Sequence, residues 1–333
     1  MSARLIAPAP SIDPQLEAIL ATMPALKRSV VAQDVARIRA VESRSLAHAD
    51  DATLRRDGAV AVHECTVGVH DGVALDLLVL RPTSGSGPWP GVVHIHGGGM
   101  MFGTNRTGLA PFAEWVSALG VVVASISYRL APEHPDPAPR DDCYAMTCWV
   151  AAHGREIGMD PSPLIIAGSS AGGGLAATVA LLARERCGPA LRAQILLSPM
   201  LDDRTTMPTT TTIAELDGRT PWDRRSNLTA WSALLGARRG TDAVSPFAAP
   251  ARCLELGGLP PTYLDVGAVE VFREEAMAYA LRLAGAGVAV DAHLWAGAFH
   301  GFDALAPTSD VAMTARRTRL DYLRRLLRSR ASQ

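Results

Sequence analysis

Short runs of mostly apolar, often β-branched residues recur along this chain, and stretches with helical periodicity separate them. The runs are VAVHECTVGV, ALDLLVLRP, GVVHIH, VVVASISY, PLIIAG, AQILLS, TYLDVG and VAVDAHLW. Most are solidly apolar rather than alternating, as expected for strands that are buried on both faces of a parallel sheet. The pattern therefore predicts an α/β fold with a mostly parallel, eight-stranded sheet and helices on both faces.

The turns and helices between these runs fit the same architecture. Asp71 and Gly72 stand between the first two runs and form a strong short-range hairpin signal, which predicts an antiparallel pair at the start of the sheet. Helical periodicity predicts helices at residues 107–119, 138–156, 171–186, 272–284 and 312–328. The arginines between Arg316 and Arg330 fit a solvated outer face of the last helix.

Two segments fall outside the strand–helix alternation. Residues 1–55 precede the sheet, and Asp13 followed by Pro14 predicts a helix start there. A connection of unusual length separates the sixth run from the seventh, and connections of that length are usually functional or carry structure of their own. We expect residues 1–55 and 201–254 to form a two-part helical cap over a sheet domain made of residues 56–200 and 255–333.

Composition narrows the class of protein. The 333 residues are 48% hydrophobic, and 32 basic against 33 acidic residues give a net charge of -1. No global field therefore favours nucleic acid or a membrane surface as a partner. The five cysteines are scattered, which predicts reduced thiols. The N-terminus does not have the pattern of a signal peptide, and no apolar stretch approaches the roughly 18 residues of a membrane span. We expect a cytoplasmic location.

The pentapeptide Gly168 to Gly172, GSSAG, lies between an apolar strand and a predicted helix. This is the context of a nucleophile elbow, in which a strained turn exposes a serine. Ser170 has glycine two positions away on each side, whereas Ser169 has alanine, so Ser170 is the predicted nucleophile. A glycine-rich turn without chemistry is the alternative. A nucleotide-binding turn is not favoured, because neither the phosphate-loop pattern nor G-x-G-x-x-G is present.

The tetrapeptide HGGG, His96 to Gly99, follows directly after the third run. Consecutive glycines let backbone N–H groups approach a small anion, such as the oxygen of a tetrahedral intermediate. The predicted donors are Gly97, Gly98 and Ala171, the residue after the nucleophile. His94 and His96 share one strand face, but no further ligand lies nearby in sequence. We therefore expect no metal, and a structural role for His96 in positioning the glycine loop.

A general base and its carboxylate partner follow in chain order. His300 comes after the last run, between glycines that let its ring turn inward, and histidine suits proton transfer near neutral pH. Glu270 follows the seventh run at the place where a hydrolase carries its acid. Asp265 is expected to lie inside the strand, and Glu274 and Glu275 in the next helix, so Glu270 is the predicted acid.

Apolar side chains near these motifs are candidates for a substrate pocket. The HGGG segment is followed by Met100, Met101 and Phe102. The predicted cap contains Met207 and Trp222. Ordinary packing is the alternative for each of them.

With these residues assembled, the chain resembles the hormone-sensitive-lipase-like family of α/β-hydrolases, the bacterial family IV carboxylesterases, over essentially its whole length. Five ordered motifs carry the resemblance, namely HGGG at 96–99, SYRLAPEHP at 127–135, the elbow at Ser170, VEVFREE at 269–275 and FHGF at 299–302. Two positions depart from the family pattern. Many members have aspartate where this chain has Ser169, and aspartate as the acid where it has Glu270.

The resemblance implies an α/β-hydrolase fold and hydrolysis of carboxylic esters with short to medium acyl chains. It also implies no cofactor, a small-molecule ester as the partner, and often a homodimer. An amidase or another acyl hydrolase on the same fold would carry the same triad. A non-catalytic binding protein on this fold is the remaining alternative, but such a protein has no need of serine, acid and histidine together.

Overall fold

The computed structural model describes residues 11–23, 29–41, 48–70, 72–205 and 218–328. The strands are β1 (Val60–His70), β2 (Val73–Pro82), β3 (Trp89–Ile95), β4 (Val122–Ile126), β5 (Met159–Ser169), β6 (Leu191–Leu197), β7 (Thr262–Gly267) and β8 (Val290–Trp295). The α-helices are α1 (Pro14–Thr22), α2 (Val35–Arg39), α3 (Asp51–Arg55), α4 (Ala110–Leu119), α5 (Ala138–His153), α6 (Ala171–Glu185), α7 (Arg224–Leu235), α8 (Arg273–Gly285), α9 (Phe302–Leu305) and α10 (Asp310–Arg328).

The eight strands form one sheet in the order β1-β2-β4-β3-β5-β6-β7-β8. β1 pairs antiparallel with β2, and β2 pairs antiparallel with β4. All the other neighbouring strands are parallel. The predicted eight-stranded, mostly parallel sheet is confirmed. Asp71, the first residue of the predicted hairpin turn, lies outside the described residues.

Successive residues of the central strands belong to two different cores. Val93 and Ile95 of β3 lie in the larger hydrophobic cluster, which includes residues of α5, α6 and α8. Val92, between them, lies in a second cluster with residues of α4 and α10. Both faces of the sheet are therefore covered by helices, and this burial explains why the strands are apolar at nearly every position.

Helix α4 begins at Ala110, three residues later than predicted. Thr104 and Thr107 close a turn, in which Thr107 N–H donates to the Thr104 carbonyl at 2.9 Å. Gly108 then has φ +70°, which no right-handed helix accepts. Pro111 near the helix N-terminus lacks an N–H that would need a partner there.

The N-terminal segment divides among three locations. Leu16 and Leu20 of α1 pack in a small cluster with Phe299 and Phe302, on either side of His300. Leu54 of α3 lies in the core beneath α4. Among the described residues before β1, only those between Ser29 and Val41 line the main cavity. Of the N-terminal segment that the structure describes, this stretch is therefore the part that borders the cavity, and the two-part cap stays a prediction.

The long connection after β6 contacts this same N-terminal stretch. Val30 N–H donates to Ser226 Oγ at 2.9 Å, and Thr229 Oγ donates to the Val30 carbonyl at 2.9 Å. Both partners lie in α7. At the start of the connection, the Glu275 carboxylate accepts from Leu201 N–H at 2.7 Å. The two segments predicted to form the cap thus touch each other beside the cavity, and a buried carboxylate fixes the start of the second.

Candidate active site

Ser170 occupies a sharp turn between β5 and α6. Its backbone angles are φ 57° and ψ −125°, a conformation that non-glycine residues rarely adopt and that stores strain. Neighbouring segments hold the turn, because Ser170 N–H donates to the Leu197 carbonyl at 2.8 Å and Met200 N–H donates to the Ser170 carbonyl at 3.0 Å. A Cβ at Gly168 would lie 2.2 Å from the Gly172 carbonyl oxygen, so the close approach requires glycine there.

The three residues predicted as nucleophile, base and acid are adjacent. His300 Nε2 lies 3.0 Å from Ser170 Oγ, and His300 Nδ1 lies 3.1 Å from Glu270 Oε1. Glu270 is buried, whereas the His300 side chain is 13% exposed. A carboxylate only accepts hydrogen bonds, so Nδ1 carries the proton and donates it to Glu270. Nε2 then presents its lone pair to the serine hydroxyl, which is the arrangement that a general base requires.

Glu270 has further partners that the sequence did not indicate. Its second carboxylate oxygen, Oε2, accepts from Ser198 Oγ at 3.0 Å and from Gly267 N–H at 3.1 Å. Ser198 follows β6 directly, at the carboxyl edge of the sheet where the other site residues emerge. This position is the sequence signal that could have marked Ser198 as a site residue, because residues at this edge of a parallel sheet form the ligand crevice.

Asp265, the rival for the role of the acid, faces a different partner. It accepts from Arg319 Nε at 2.7 Å and from Arg319 Nη2 at 3.1 Å, and both side chains are buried. Arg319 also donates to Asp303 in α9, which follows His300. The expectation that the arginines of the last helix are all solvated is wrong for Arg319, because it bridges two carboxylates inside the protein.

The backbone of the glycine loop and the start of α6 both lie beside Ser170. A Cβ at Gly97 would lie 3.2 Å from Ser170 Cβ, so the glycine backbone adjoins the nucleophile. Ala171 is the first residue of α6, and its N–H therefore has no partner within the helix. Within the described part of the chain, no backbone carbonyl accepts from Gly97 or Gly98 N–H. Backbone N–H groups without a carbonyl partner beside a nucleophile are the kind of donor that an oxyanion needs.

His94 of β3 and His96, which directly follows the strand, are held by contacts inside the protein. His96 Nδ1 donates to the Gly97 carbonyl at 2.8 Å, and the ring stacks on Tyr128 with a centroid distance of 4.2 Å. His94 Nδ1 bonds to Ser125 Oγ at 2.8 Å. Burial lowers the pKa of His94 to about 3 and that of His96 to about 4, so both rings are neutral at physiological pH. Across the described ranges, no group of three or more His, Cys, Asp or Glu could hold a metal ion.

A cavity of about 920 Å³ opens over the nucleophile. This volume is in the range of small-molecule sites. Ser170 and His300 line it, together with two glycines of the HGGG segment, three aromatic side chains and part of the N-terminal segment. These are Gly97, Gly98, Phe102, Phe112, Trp222, Val30 and Ile38. The lining also contains Ser169, Ser198, Asp303 and Arg319. The site is thus mostly apolar, with a few polar groups near the reacting atoms.

The predicted pocket residues divide into three groups. Phe102 and Trp222 line the cavity. Met100 and Met101 do not, and the expectation is corrected for both: they are 2% and 0% exposed and pack in the larger core. The physical reason is a tight turn, since Met101 and Phe102 N–H groups both donate to the Gly98 carbonyl and direct the methionines inward. Met207 lies outside the described residues.

Comparison with known proteins places the chain in a family. The model of a family described as "alpha/beta hydrolase fold" matches residues 92–304, and the chain belongs to that family. Hormone-sensitive lipase of Mus musculus is 41% identical over 92 residues, which are 28% of this chain and 12% of that protein. The resemblance predicted from the five motifs is confirmed.

The relatives are named as esterases. "Esterase LipI" of Mycobacterium tuberculosis is 35% identical over 240 residues, 72% of this chain and 73% of the relative. "Carboxylesterase NlhH" of the same species is 31% identical over 96% of this chain and 97% of its own length. The solved structure of "Bacterial Heroin Esterase" has a TM-score of 0.84 and 36% identity, and the match covers 95% of this chain and 98% of that one.

None of the described helices combines the length and the apolar composition that crossing a membrane requires.

Proposed function

We propose that this protein is a serine carboxylesterase that hydrolyses short- to medium-chain carboxylic esters through Ser170, His300 and Glu270. The observation that carries the proposal is the continuous chain of hydrogen bonds from Ser170 Oγ to His300 Nε2 and from His300 Nδ1 to Glu270, at 3.0 and 3.1 Å. The esterase and carboxylesterase names of the relatives support the same reaction.

In the first half of the reaction, the serine becomes acylated. His300 Nε2 takes the hydroxyl proton of Ser170 while Oγ attacks the ester carbonyl carbon. The carbonyl oxygen becomes an oxyanion and accepts from the N–H groups of Gly97, Gly98 and Ala171. Glu270 holds Nδ1–H in place and stabilises the imidazolium. When the carbon–oxygen bond to the alcohol breaks, His300 gives the proton to the leaving alkoxide.

The second half restores the serine. His300 takes a proton from water, the resulting hydroxide attacks the acyl carbon, and the same N–H groups hold the second oxyanion. Collapse of this intermediate breaks the bond to Ser170 Oγ, which receives the proton from His300. The products are one alcohol and one carboxylic acid, and no cofactor takes part. A homodimer and a cytoplasmic location stay predictions from the sequence.

A panel of p-nitrophenyl esters, the acetate, butyrate, octanoate, dodecanoate and palmitate, tests the proposal. We expect the highest kcat/KM between acetate and octanoate and a steep fall toward palmitate, because the cavity has a finite volume. The matched p-nitroanilides of the same acids form the control and should react far more slowly. Inactivity on every ester would sink the proposal, and faster hydrolysis of the anilides would make the protein an amidase.

A further inference from the structure

Ser198 has an unusual backbone for a serine. Its φ is +42°, in the left-handed region that few non-glycine residues occupy. Its N–H donates to the Asp265 carbonyl at 2.7 Å, which joins the end of β6 to β7. β7 is also the strand that precedes Glu270 in the chain. The strained residue is therefore attached to the same element that presents the acid.

The hydroxyl of Ser198 forms a hydrogen bond with the carboxylate of Glu270. Ser198 Oγ lies 3.0 Å from Glu270 Oε2, in a buried environment. The carboxylate can only accept, so the hydroxyl proton points at Oε2. Gly267 N–H donates to the same oxygen at 3.1 Å. Oε2 thus has two donors, and Oε1 is left to face His300.

This geometry distinguishes Ser198 from a second nucleophile. Ser198 lines the cavity, as Ser170 does. Its hydroxyl, however, is bonded to the carboxylate, while the imidazole nitrogen that accepts a proton is bonded to Ser170. Ser170 is therefore the serine that the imidazole is positioned to activate, and Ser198 is bonded to the acid that orients the imidazole.

We propose that Ser198 is a positioning residue for the triad: its hydroxyl holds the Glu270 carboxylate so that Oε1 faces His300 Nδ1. The proposal rests on the proposed function, because it concerns the orientation of the acid in ester hydrolysis. Besides Ser198, the described structure gives Oε2 one further donor, the peptide N–H of Gly267. Without the hydroxyl, the carboxylate gains a rotational freedom that misaligns His300.

The test uses Ser198→Ala and Ser198→Gly in the full chain, with p-nitrophenyl butyrate as the substrate. Both variants lose the hydroxyl, and glycine also accepts the positive φ, so at least one variant keeps the native backbone. We expect kcat to fall about ten- to a hundredfold in both, as for a hydrogen bond to a charged group, with KM little changed.

A double-mutant cycle with Glu270→Gln decides whether Ser198 acts through the acid. We expect Ser198→Gly to cost little further activity when Glu270 is already glutamine. Equal losses in both backgrounds, or a Ser198→Gly variant with unchanged kcat, would overturn the inference. If the wild type hydrolyses no ester at all, the proposed function fails first, so the two failures are distinguishable.

Discussion

Ser170→Ala is expected to lower kcat for p-nitrophenyl butyrate by about 10⁶-fold, to the level that binding and oxyanion stabilisation sustain alone. The reason is that no other hydroxyl in the cavity is bonded to His300 Nε2, as far as the described residues go. The variant should remain folded, because the substitution removes only the hydroxyl oxygen. The backbone hydrogen bonds that hold the turn at φ +57° persist. Steady-state kinetics and a thermal unfolding curve measure both quantities.

Ser169→Ala is the matched control for this prediction. Ser169 precedes the nucleophile and lines the same cavity, but the elbow directs the next residue, Ser170, toward the imidazole. We expect Ser169→Ala to keep kcat within about tenfold of the wild type. The assignment of the nucleophile is wrong if Ser170→Ala keeps substantial turnover while Ser169→Ala does not.

Glu270→Gln is expected to lower kcat by about 10⁴-fold, the size of effect seen when an amide replaces the acid of a serine triad. The amide loses the negative charge that stabilises the imidazolium, and its N–H₂ group favours the wrong tautomer of His300. Glu274→Gln is the control. Glu274 is 40% exposed and pairs with Arg273, so its substitution should leave kcat nearly unchanged. The kinetics are measured at a fixed pH near neutrality.

Asp265→Asn is expected to lower the stability of the fold without changing the rate of ester hydrolysis. Its carboxylate accepts two hydrogen bonds from buried Arg319, and weakening a buried pair is destabilising, by about 3 to 5 kcal/mol where one partner is lost completely. We expect a lower thermal midpoint and a nearly normal kcat below that midpoint. If Asp265→Asn instead abolishes kcat at unchanged stability while Glu270→Gln remains active, Asp265 would be the acid.

The sheet was predictable because burial on two faces leaves a strong imprint on sequence. Val92 and Val93 lie in opposite cores, and both positions must be apolar. Ser170, His300 and Glu270 were predictable for a different reason. All three follow the chain order of a hydrolase triad, and glycines flank the turns that present Ser170 and His300 because those turns tolerate few other residues.

The rest of the site depends on contacts between distant segments. The sequence around Ser198 does not show that its hydroxyl bonds to the carboxylate of Glu270, 72 positions later. Arg319 looked like its exposed neighbours in α10, because its two carboxylate partners come from β7 and α9. The prediction that Met100 and Met101 line the pocket is wrong because the turn at Gly98, and not the apolar side chains themselves, determines which way these residues point.

The central claim, that Ser170 carries the acyl group, is tested most directly by covalent labelling with a p-nitrophenyl phosphonate followed by mass spectrometry of the intact chain and its peptides. Such a reagent reacts with a serine that has an activating base. We expect one label per chain, located on Ser170 by fragmentation, and no label on Ser170→Ala. A label on Ser169 or Ser198, or continued ester hydrolysis by a chain that takes no label, would contradict it.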